Sequence, residues 1–331
     1  MLNDLILIDG VSKDFLREVK NFIEEWLNES ESIEVTTSGS TGTPKTIKLE
    51  KDRIRASAKS TGEFFQFEKG QVALLNLSPQ YIAGKLMIVR AVEHEMKLAI
   101  APLQANPLEN IPDDLNIDFG AFVPSQIAAI LKNPKSTEAL GRIKNVIIGG
   151  APLHSNLENE LTQLPVNIYA SFGMTETITH FALRKLGTPI YRCLNGFSVG
   201  IDNRSCLVVH ENEIVKRMLV TNDVVDIIDH MTFKWKGRYD NVINSGGVKI
   251  YPERVEKMIA HLLPENRFYV TSKQDDKYGE VAVLVVEGDV ENEAILSDAK
   301  ASLPRHHAPK ELIVEDQLEE TPTNKIIRKK F

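Results

Sequence analysis

The sequence predicts an α/β protein. A large N-terminal lobe layers helices on a mostly parallel sheet, with a small antiparallel sheet beside it, and a small α+β C-terminal domain follows. Three observations carry this expectation. Short apolar runs at 72–77, 97–101, 117–123, 145–148 and 166–170 alternate with segments of helical period near 52–66, 81–93, 125–132 and 154–164. Strands separated by helices of that length form βαβ units with parallel pairing. Between residues 206 and 235, strand-like pieces (206–210, 213–220, 224–230, 233–235) follow one another with no helix between them, as in an antiparallel sheet. Beyond the polar, glycine-containing stretch 236–240 the pattern changes again.

Taken in chain order, a short strand precedes an amphipathic helix. Ser12 is its N-cap, and Phe15, Leu16, Val19, Phe22, Ile23, Trp26 and Leu27 recur at helical spacing. A hydroxyl- and glycine-rich loop at 36–45 lies between Val35 and the β-like Thr46-Ile47-Lys48-Leu49. After the alternating lobe, a strand at 241–244, a helix at 252–263, strands at 268–271 and 281–286, a helix at 294–302 and a strand at 311–314 make the small unit. The expected domains are 1–237 and 238–331, with a hinge near Asp240, and 331 residues are enough for two.

Composition narrows the function. Hydrophobic residues make up 42% and charged residues 26%, ordinary values for a globular chain with a substantial core. A net charge of −7, from 39 basic and 46 acidic residues, argues against nucleic acid as the main partner. Cys193 and Cys206, with no histidine at ligand spacing, support neither a disulfide framework nor a zinc site, and a cytoplasmic location fits. The N-terminus lacks a basic region before its short apolar run and is not expected to be a signal peptide. No apolar stretch approaches the roughly 18 residues of a membrane span.

The loop at 36–45 reads Thr-Thr-Ser-Gly-Ser-Thr-Gly-Thr-Pro-Lys. Gly39 and Gly42 let backbone amides approach an anion. Thr37, Ser38, Ser40 and Thr41 offer hydroxyl donors, and Lys45 adds a positive charge. A phosphate cradle is the expectation, and a flexible polar linker the alternative. Thr46 follows Lys45, but Pro44 stands where the common NTPase loop requires glycine.

Further segments follow in fixed order: Gly149-Gly150-Ala151-Pro152; Ser171-Phe172-Gly173-Met174-Thr175-Glu176; Thr221-Asn222-Asp223; Gly237-Arg238-Tyr239-Asp240; Asn244-Ser245-Gly246-Gly247-Val248-Lys249-Ile250; and Thr321-Pro322-Thr323-Asn324-Lys325. Each alone reads as a turn or a solvated charge run. In this order, from about Val35 to the C-terminus, they resemble the acyl-activating, adenylate-forming superfamily of acyl-CoA synthetases, luciferases and peptide-synthetase adenylation domains. The resemblance implies that the 36–45 loop binds phosphates and that Gly150 and Ala151 line the adenine pocket. It implies that Phe172, where tyrosine is commoner, stacks on adenine between Ser171 and Gly173. Thr175 would touch the α-phosphate, and Glu176 would hold Mg²⁺ brought in with ATP, as suits a hard cation. Asp223 would accept the ribose hydroxyls, with Asn222 in place of the usual glycine, and Arg238 would add a ribose or phosphate contact. Asp240 would be the pivot. Gly246, Gly247 and Lys249 would form the loop that serves coenzyme A, with a plain hairpin turn as the rival. Lys325 would be the catalytic lysine, with Asn324 where glycine is usual.

These roles imply a mechanism. A substrate carboxylate, already ionised at neutral pH, attacks the α-phosphorus of ATP and expels pyrophosphate. Lys325, Mg²⁺ and the loop donors neutralise the charge that gathers there. A thiol, most simply that of coenzyme A, then takes the acyl group. The loop and Lys325 lie on the same small domain, so that domain is expected to rotate between steps.

The early start of the loop and the segment Leu77-Ser78-Pro79-Gln80-Tyr81-Ile82-Ala83-Gly84-Lys85-Leu86 resemble a shortened form of the o-succinylbenzoate–CoA ligases of menaquinone biosynthesis, with Tyr81 in place of the usual histidine. The acid would then be a dicarboxylate, met by Tyr81, Gly84, Lys85, Arg90 and His180, with Arg90 or Lys85 supplying a cation. The family's long N-terminal subdomain is expected to be missing, and a second copy of the chain could cover the surface it would have packed on. Two alternatives stay open: an adenylase that hands the acyl group to a carrier-protein thiol or an amine, and a non-catalytic adenine-nucleotide sensor.

Overall fold

The computed structural model describes residues 4–36, 46–264, 266–290, 292–321 and 326–331. The chain opens with β1 (Leu5–Leu7) and α1 (Lys13–Leu27), then a hairpin of β2 (Ser32–Thr36) and β3 (Thr46–Glu50). Next come α2 (Lys51–Phe65), β4 (Val72–Leu75), α3 (Ile82–Glu93), β5 (Lys97–Ile100), β6 (Phe119–Phe122), α4 (Pro124–Leu131), α5 (Pro134–Gly141), β7 (Asn145–Ile148) and α6 (Ser155–Leu161). The run β8 (Asn167–Gly173), β9 (His180–Lys185), β10 (Ile190–Cys193), β11 (Val199–Ile201), β12 (Cys206–Val209), β13 (Leu219–Asp229) and β14 (Thr232–Arg238) contains no α-helix.

Among the described residues these strands, apart from β2 and β3, form one 12-stranded sheet in the order β1-β5-β4-β6-β7-β8-β9-β10-β14-β13-β12-β11. Neighbours from β1 to β8 are parallel, and from the β8–β9 pair onward they are antiparallel. The α/β class therefore stands, and the antiparallel strands extend the parallel ones edge to edge. Side chains alternate across the sheet. Ala73 and Leu75 of β4 join the core beneath α1, α2 and α3, while Leu74 joins the core beneath α4, α5 and α6. Three layers result.

The small unit follows: β15 (Ile243–Ser245), β16 (Val248–Ile250), α7 (Pro252–Ile259), β17 (Phe268–Asp275), β18 (Gly279–Glu287), α8 (Asn292–Ser302) and β19 (Glu311–Glu315). Its five strands make a separate sheet with its own core, in which Ile243, Val255, Ile259, Val270, Leu284 and Ala299 meet.

Local rules explain most boundaries. The Ser12 hydroxyl accepts the Phe15 amide at 3.1 Å and starts α1, whose Phe15, Val19, Phe22, Ile23 and Trp26 are buried. Helix α3 is buried on nearly all sides, because it packs on the sheet and against both α1 and α2. Two expectations need correction. No strand covers 213–218, because the Asn212 side chain accepts the amides of Ile214 and Val215 and folds the segment into a turn. Strand β13 instead runs from Leu219 through Asp229, carrying Asp223 in its middle. Helix α5 was not expected. Its signals are a cap and a proline: Asn133 Oδ1 accepts the Ser136 amide, and Pro134 opens the first turn. Among the described residues no helix is long and apolar enough to cross a membrane.

Candidate functional site

Strands β7 and β8 are parallel neighbours, and β8 is where the sheet changes from parallel to antiparallel pairing. In open α/β sheets, ligands bind beyond the carboxyl ends of the parallel strands. The residues at these two ends are Gly149–Gly150 after β7 and Ser171–Glu176 at the end of β8.

Close approach explains the glycines. A Cβ on Gly149 would sit 2.3 Å from Ser171 Oγ, which donates to the Ile148 carbonyl at 3.1 Å. Gly150 has φ +86°, which favours glycine, and Ala151 follows in the same turn. A Cβ on Gly173 would meet the Thr179 carbonyl oxygen at 2.2 Å. Gly149 and Gly173 thus let Ser171 and Thr179 approach, and Gly150 supplies the left-handed turn after β7.

Beyond Gly173, Thr175 and Glu176 are exposed in a single 3₁₀ turn, Thr175–Thr177. The turn is held from below by Thr177, which the sequence did not single out. Its buried hydroxyl accepts the Met174 amide at 3.0 Å and lies 2.9 and 2.6 Å from the Met174 and Thr179 carbonyls. Ile178 follows at φ +66° and ψ −56°, with the Thr179 amide bonded to the Thr177 carbonyl at 2.7 Å. This is a γ-turn on a β-branched residue, a strained geometry that packing must hold in place. Arg53 on α2 clamps the same loop, donating to the Glu176 carbonyl at 3.3 Å and to the Ile214 carbonyl at 2.7 Å.

Phe172 is half-buried and packs edge-on against Phe181, Tyr191 and Phe233. Phe233 lies on β14, which leads to a second group. Asp223 on β13 stands opposite Arg238 on β14. Asp223 Oδ1 accepts the Trp235 indole N–H at 2.9 Å, and Oδ2 lies 3.5 Å from Arg238 Nη1. Burial raises the Asp223 pKa, helped by the Asp240 charge and opposed by Trp235 and Arg238. Asp240, in the turn after β14, takes hydrogen bonds from Asn222 Nδ2 at 3.2 Å and Arg238 Nη2 at 3.4 Å. Asn222 thus replaces the usual glycine with a side chain that ties β13 to the turn at Asp240.

At that turn the large sheet meets α7. Glu253 accepts the Asn241 side chain at 2.6 Å and the Arg238 amide at 3.4 Å, and a Cβ on Gly237 would sit 2.3 Å from Glu253 Oε2. Burial raises the Glu253 pKa. Sequence patterning carried no signal for this residue. Gly246 and Gly247, at φ +57° and +85°, form the two-residue turn of the β15–β16 hairpin, with Ser245 paired to Val248 and exposed Lys249 next along β16. The hairpin alone accounts for both glycines.

Of the acid-pocket residues, Tyr81 is 57% exposed at the start of α3. A Cβ on Gly84 would strike the Ser78 carbonyl oxygen at 2.2 Å, so packing under residues 77–78 accounts for this glycine. Lys85 faces α1, 3.7 Å from Glu25 Oε2 and 4.3 Å above the Phe22 ring. Arg90 and His180 are buried, and His180 Nε2 lies 3.3 Å from Thr61 Oγ1 on α2. Burial and the Arg90 charge hold His180 well below its ordinary pKa, so it is neutral at pH 7.

Two expected elements, the loop residues Thr37, Ser38, Gly39, Ser40, Thr41, Gly42 and Lys45, and Lys325, lie outside the described residues. Their described neighbours are paired: Thr36 with Thr46, and Glu320 with Ile326. The basic tail is not a solvated run. Arg328 bonds Glu256 and the Val270 carbonyl, and Phe331 pairs its backbone with Ser272 and Gln274. Among the described residues no group of three His, Cys, Asp or Glu could hold a metal unaided.

The AMP-binding enzyme family model matches residues 32–209, more than half of the chain. The chain belongs to the AMP-binding enzyme family. The enzyme class expected from the sequence, an adenylate-forming acid–thiol ligase, agrees with this membership. An acyl-CoA synthetase (AMP-forming)/AMP-acid ligase II-like protein from Dyadobacter fermentans is 34% identical, superposes with a TM-score of 0.67, and is matched over 95% of this chain and 92% of its own. A 2-succinylbenzoate–CoA ligase of Bacillus cereus is 21% identical over 95% of this chain and 72% of its own. The Bacillus subtilis o-succinylbenzoate CoA synthetase, solved with its acyl-adenylate intermediate, shares the fold at a TM-score of 0.73 and 20% identity, over 88% of this chain and 67% of its own.

Proposed function

We propose that this AMP-binding enzyme is an ATP-dependent carboxylic acid–CoA ligase that works through an acyl-adenylate, with o-succinylbenzoate as its acid. The observation that carries the reading is the juxtaposition at the β7 and β8 ends: side-chain-free backbone at Gly149, Gly150 and Gly173 beside the exposed Thr175–Glu176 turn. A nucleotide would lie beyond these strand ends, where the turn presents a hydroxyl and a carboxylate to it. The acid is named from the 2-succinylbenzoate–CoA ligases among the relatives.

In this reading Gly150 and Ala151 line the adenine, with Phe172 beside it, and Asp223 accepts the ribose hydroxyls through its two oxygens. Arg238, 3.5 Å from Asp223, opposes the rise that burial gives that carboxylate's pKa and touches ribose or phosphate. Thr175 donates to the α-phosphate. Glu176 would hold Mg²⁺. A single exposed carboxylate fits this ion, which binds through one or two carboxylates together with the nucleotide's own phosphates. When bound, the ion would neutralise phosphate charge. Lys325 supplies a second positive charge to the phosphate, and the 36–45 loop supplies hydroxyl and amide donors. The substrate carboxylate attacks the α-phosphorus and pyrophosphate leaves. The coenzyme A thiolate then attacks the acyl carbon and AMP leaves, with Gly246, Gly247 and Lys249 beside the thiol arm. The small unit turns about Asp240 between these steps.

The test is pyrophosphate release over a panel of acids, with and without coenzyme A. Acid-dependent release followed by CoA-dependent thioester supports the ligase. Release with no thioester favours transfer to a carrier thiol or an amine, and no acid-dependent release at all leaves only nucleotide binding.

A further inference from the structure

We infer that Arg204 and Asn222 are positioning residues of the hinge. With Asp202 they form a brace from a fixed turn of the large sheet to the Asp240 carboxylate, locking one backbone torsion of the pivot and leaving the other free. The inference rests on the ligase reading, in which the small unit turns about Asp240, and adds to it residues outside the nucleotide site.

The brace begins in the turn between β11 and β12. Asp202 Oδ1 accepts the Arg204 and Cys206 amides, both at 2.8 Å, and Oδ2 accepts the Arg204 Nε–H at 2.8 Å. Ser205 in the same turn has φ +63°, an uncommon geometry for a residue with a side chain. The guanidinium is thus aimed before it meets its next partners. Its Nη1 donates to Asn222 Oδ1 at 3.1 Å and its Nη2 to the Thr221 carbonyl at 3.3 Å. It also lies 5.0 Å from the centre of the Tyr239 ring, the residue just before the pivot. An isolated surface ion pair contributes little, because two long side chains must be ordered to make it. Here the planar fork is fixed at both ends, and Asn222 and Thr221 extend it onto β13.

Asn222 passes the constraint on. Arg204 can only donate, so it fixes which end of the carboxamide is oxygen, and Nδ2 is left to donate to Asp240 Oδ2 at 3.2 Å. Arg238 Nη2 holds the same oxygen at 3.4 Å. Both ends of the Asn222 side chain are therefore committed, and glycine at this place could supply neither. Geometry then decides what the brace permits. A residue has two soft torsions. Rotation about the Asp240 N–Cα bond would sweep its side chain away from Asn222 and Arg238. Rotation about its Cα–C bond moves only the chain beyond and leaves the carboxylate in place. The first is locked by the brace, and the second carries the turn of the small unit.

The test takes Arg204→Ala, Asn222→Gly and the double variant through both half-reactions: acid-dependent pyrophosphate exchange, and thioester formation from supplied acyl-adenylate. Each single variant should change the ratio of the two rates by at least about threefold, in the same direction. The double variant should match Asn222→Gly, because Arg204 acts through Asn222. Spin labels at Lys20→Cys on α1 and Ser297→Cys on α8 read the hinge without turnover, since Cys193 and Cys206 are buried. The ligand-free chain with an intact brace should give one narrow distance between the labels, and each brace variant a broad distribution. A ratio unchanged in both single variants overturns the inference, and so do two rates that fall in parallel, as mere loss of stability would produce. A double variant whose effect is the product of the singles also overturns it. So does a broad distribution with the brace intact, a result that needs no brace variant to fold. Absence of exchange with any acid would instead remove the ligase reading, and the label distances would still decide the brace.

Discussion

The Trp235 indole holds Asp223 Oδ1 at 2.9 Å and thereby turns Oδ2 toward Arg238. Asp223 is buried, and its pKa is raised above the ordinary carboxylate value. A carboxylate with a raised folded-state pKa binds its proton more tightly folded than unfolded, so its contribution to stability falls as pH rises through that window. In the proposed role ligand binding runs the other way, because ribose hydroxyls donate more strongly to the ionised form. Asp223→Asn should therefore flatten the acid side of the stability profile and raise the melting temperature near pH 7, while raising KM for ATP at least about tenfold. Thermal scans at several pH values, set beside ATP titrations, check both signs. A variant with unchanged ATP KM would remove Asp223 from the site.

Gly149 and Ser171 make a steric pair. Gly149→Ala places a methyl 2.3 Å from Ser171 Oγ, which must rotate away and give up the Ile148 carbonyl. The expected effect is a loss of about 1–2 kcal/mol and a higher KM for ATP. Ser171→Ala in the same chain should restore much of both. A double-mutant cycle with no coupling would show that the two strand ends do not constrain each other.

Thr177 supports Glu176 from beneath. Thr177→Val leaves the Met174 amide without its acceptor and should cost about 1–3 kcal/mol. It should also raise the Mg²⁺ concentration for half-maximal rate about tenfold, a loss of about 1.4 kcal/mol in ion binding. Thr177→Ser keeps the hydroxyl and should recover the Mg²⁺ response. A Thr177→Val enzyme with normal Mg²⁺ dependence would separate the buried hydroxyl from the function of the turn.

The two half-reactions should part at the small unit. Lys325→Ala is expected to abolish acid-dependent pyrophosphate exchange while sparing thioester formation from supplied acyl-adenylate. Gly247→Val should do the reverse. A Cβ there meets nothing within 4 Å, so the substitution acts through its left-handed φ of +85° and the added bulk. Equal damage to both half-reactions by both variants would rule out alternating use of the unit.

Much of the architecture was legible from periodicity. The runs at 97–101 and 145–148, flanked by helical patterns, became β5 and β7 within a residue. Extent was less legible where side chains override pattern. The Asn212 side chain bends 213–218 into a turn, and the helix at 134–141 depends on its Asn133 cap more than on an apolar stripe. At the site, the order of short motifs pointed to Gly150, Ser171, Thr175, Glu176, Asp223 and Arg238. Nothing in the pattern marked Trp235, Thr177 or Glu253, which act through side-chain contacts that exist only once the sheet and its turns have formed.

By itself the sequence determined the α/β class and the family, because apolar period and backbone-permissive turn residues are local properties written along the chain. Tertiary structure alone decided which of two basic residues on α3 has a carboxylate partner. Lys85 and Arg90 read alike as basic residues in an apolar helix, and only the packing of α1 against α3 gives Lys85 its Glu25, while Arg90 has, among the described residues, only the Met87 thioether. Burial and pairing are properties of the folded neighbourhood, and a single helix segment cannot record them.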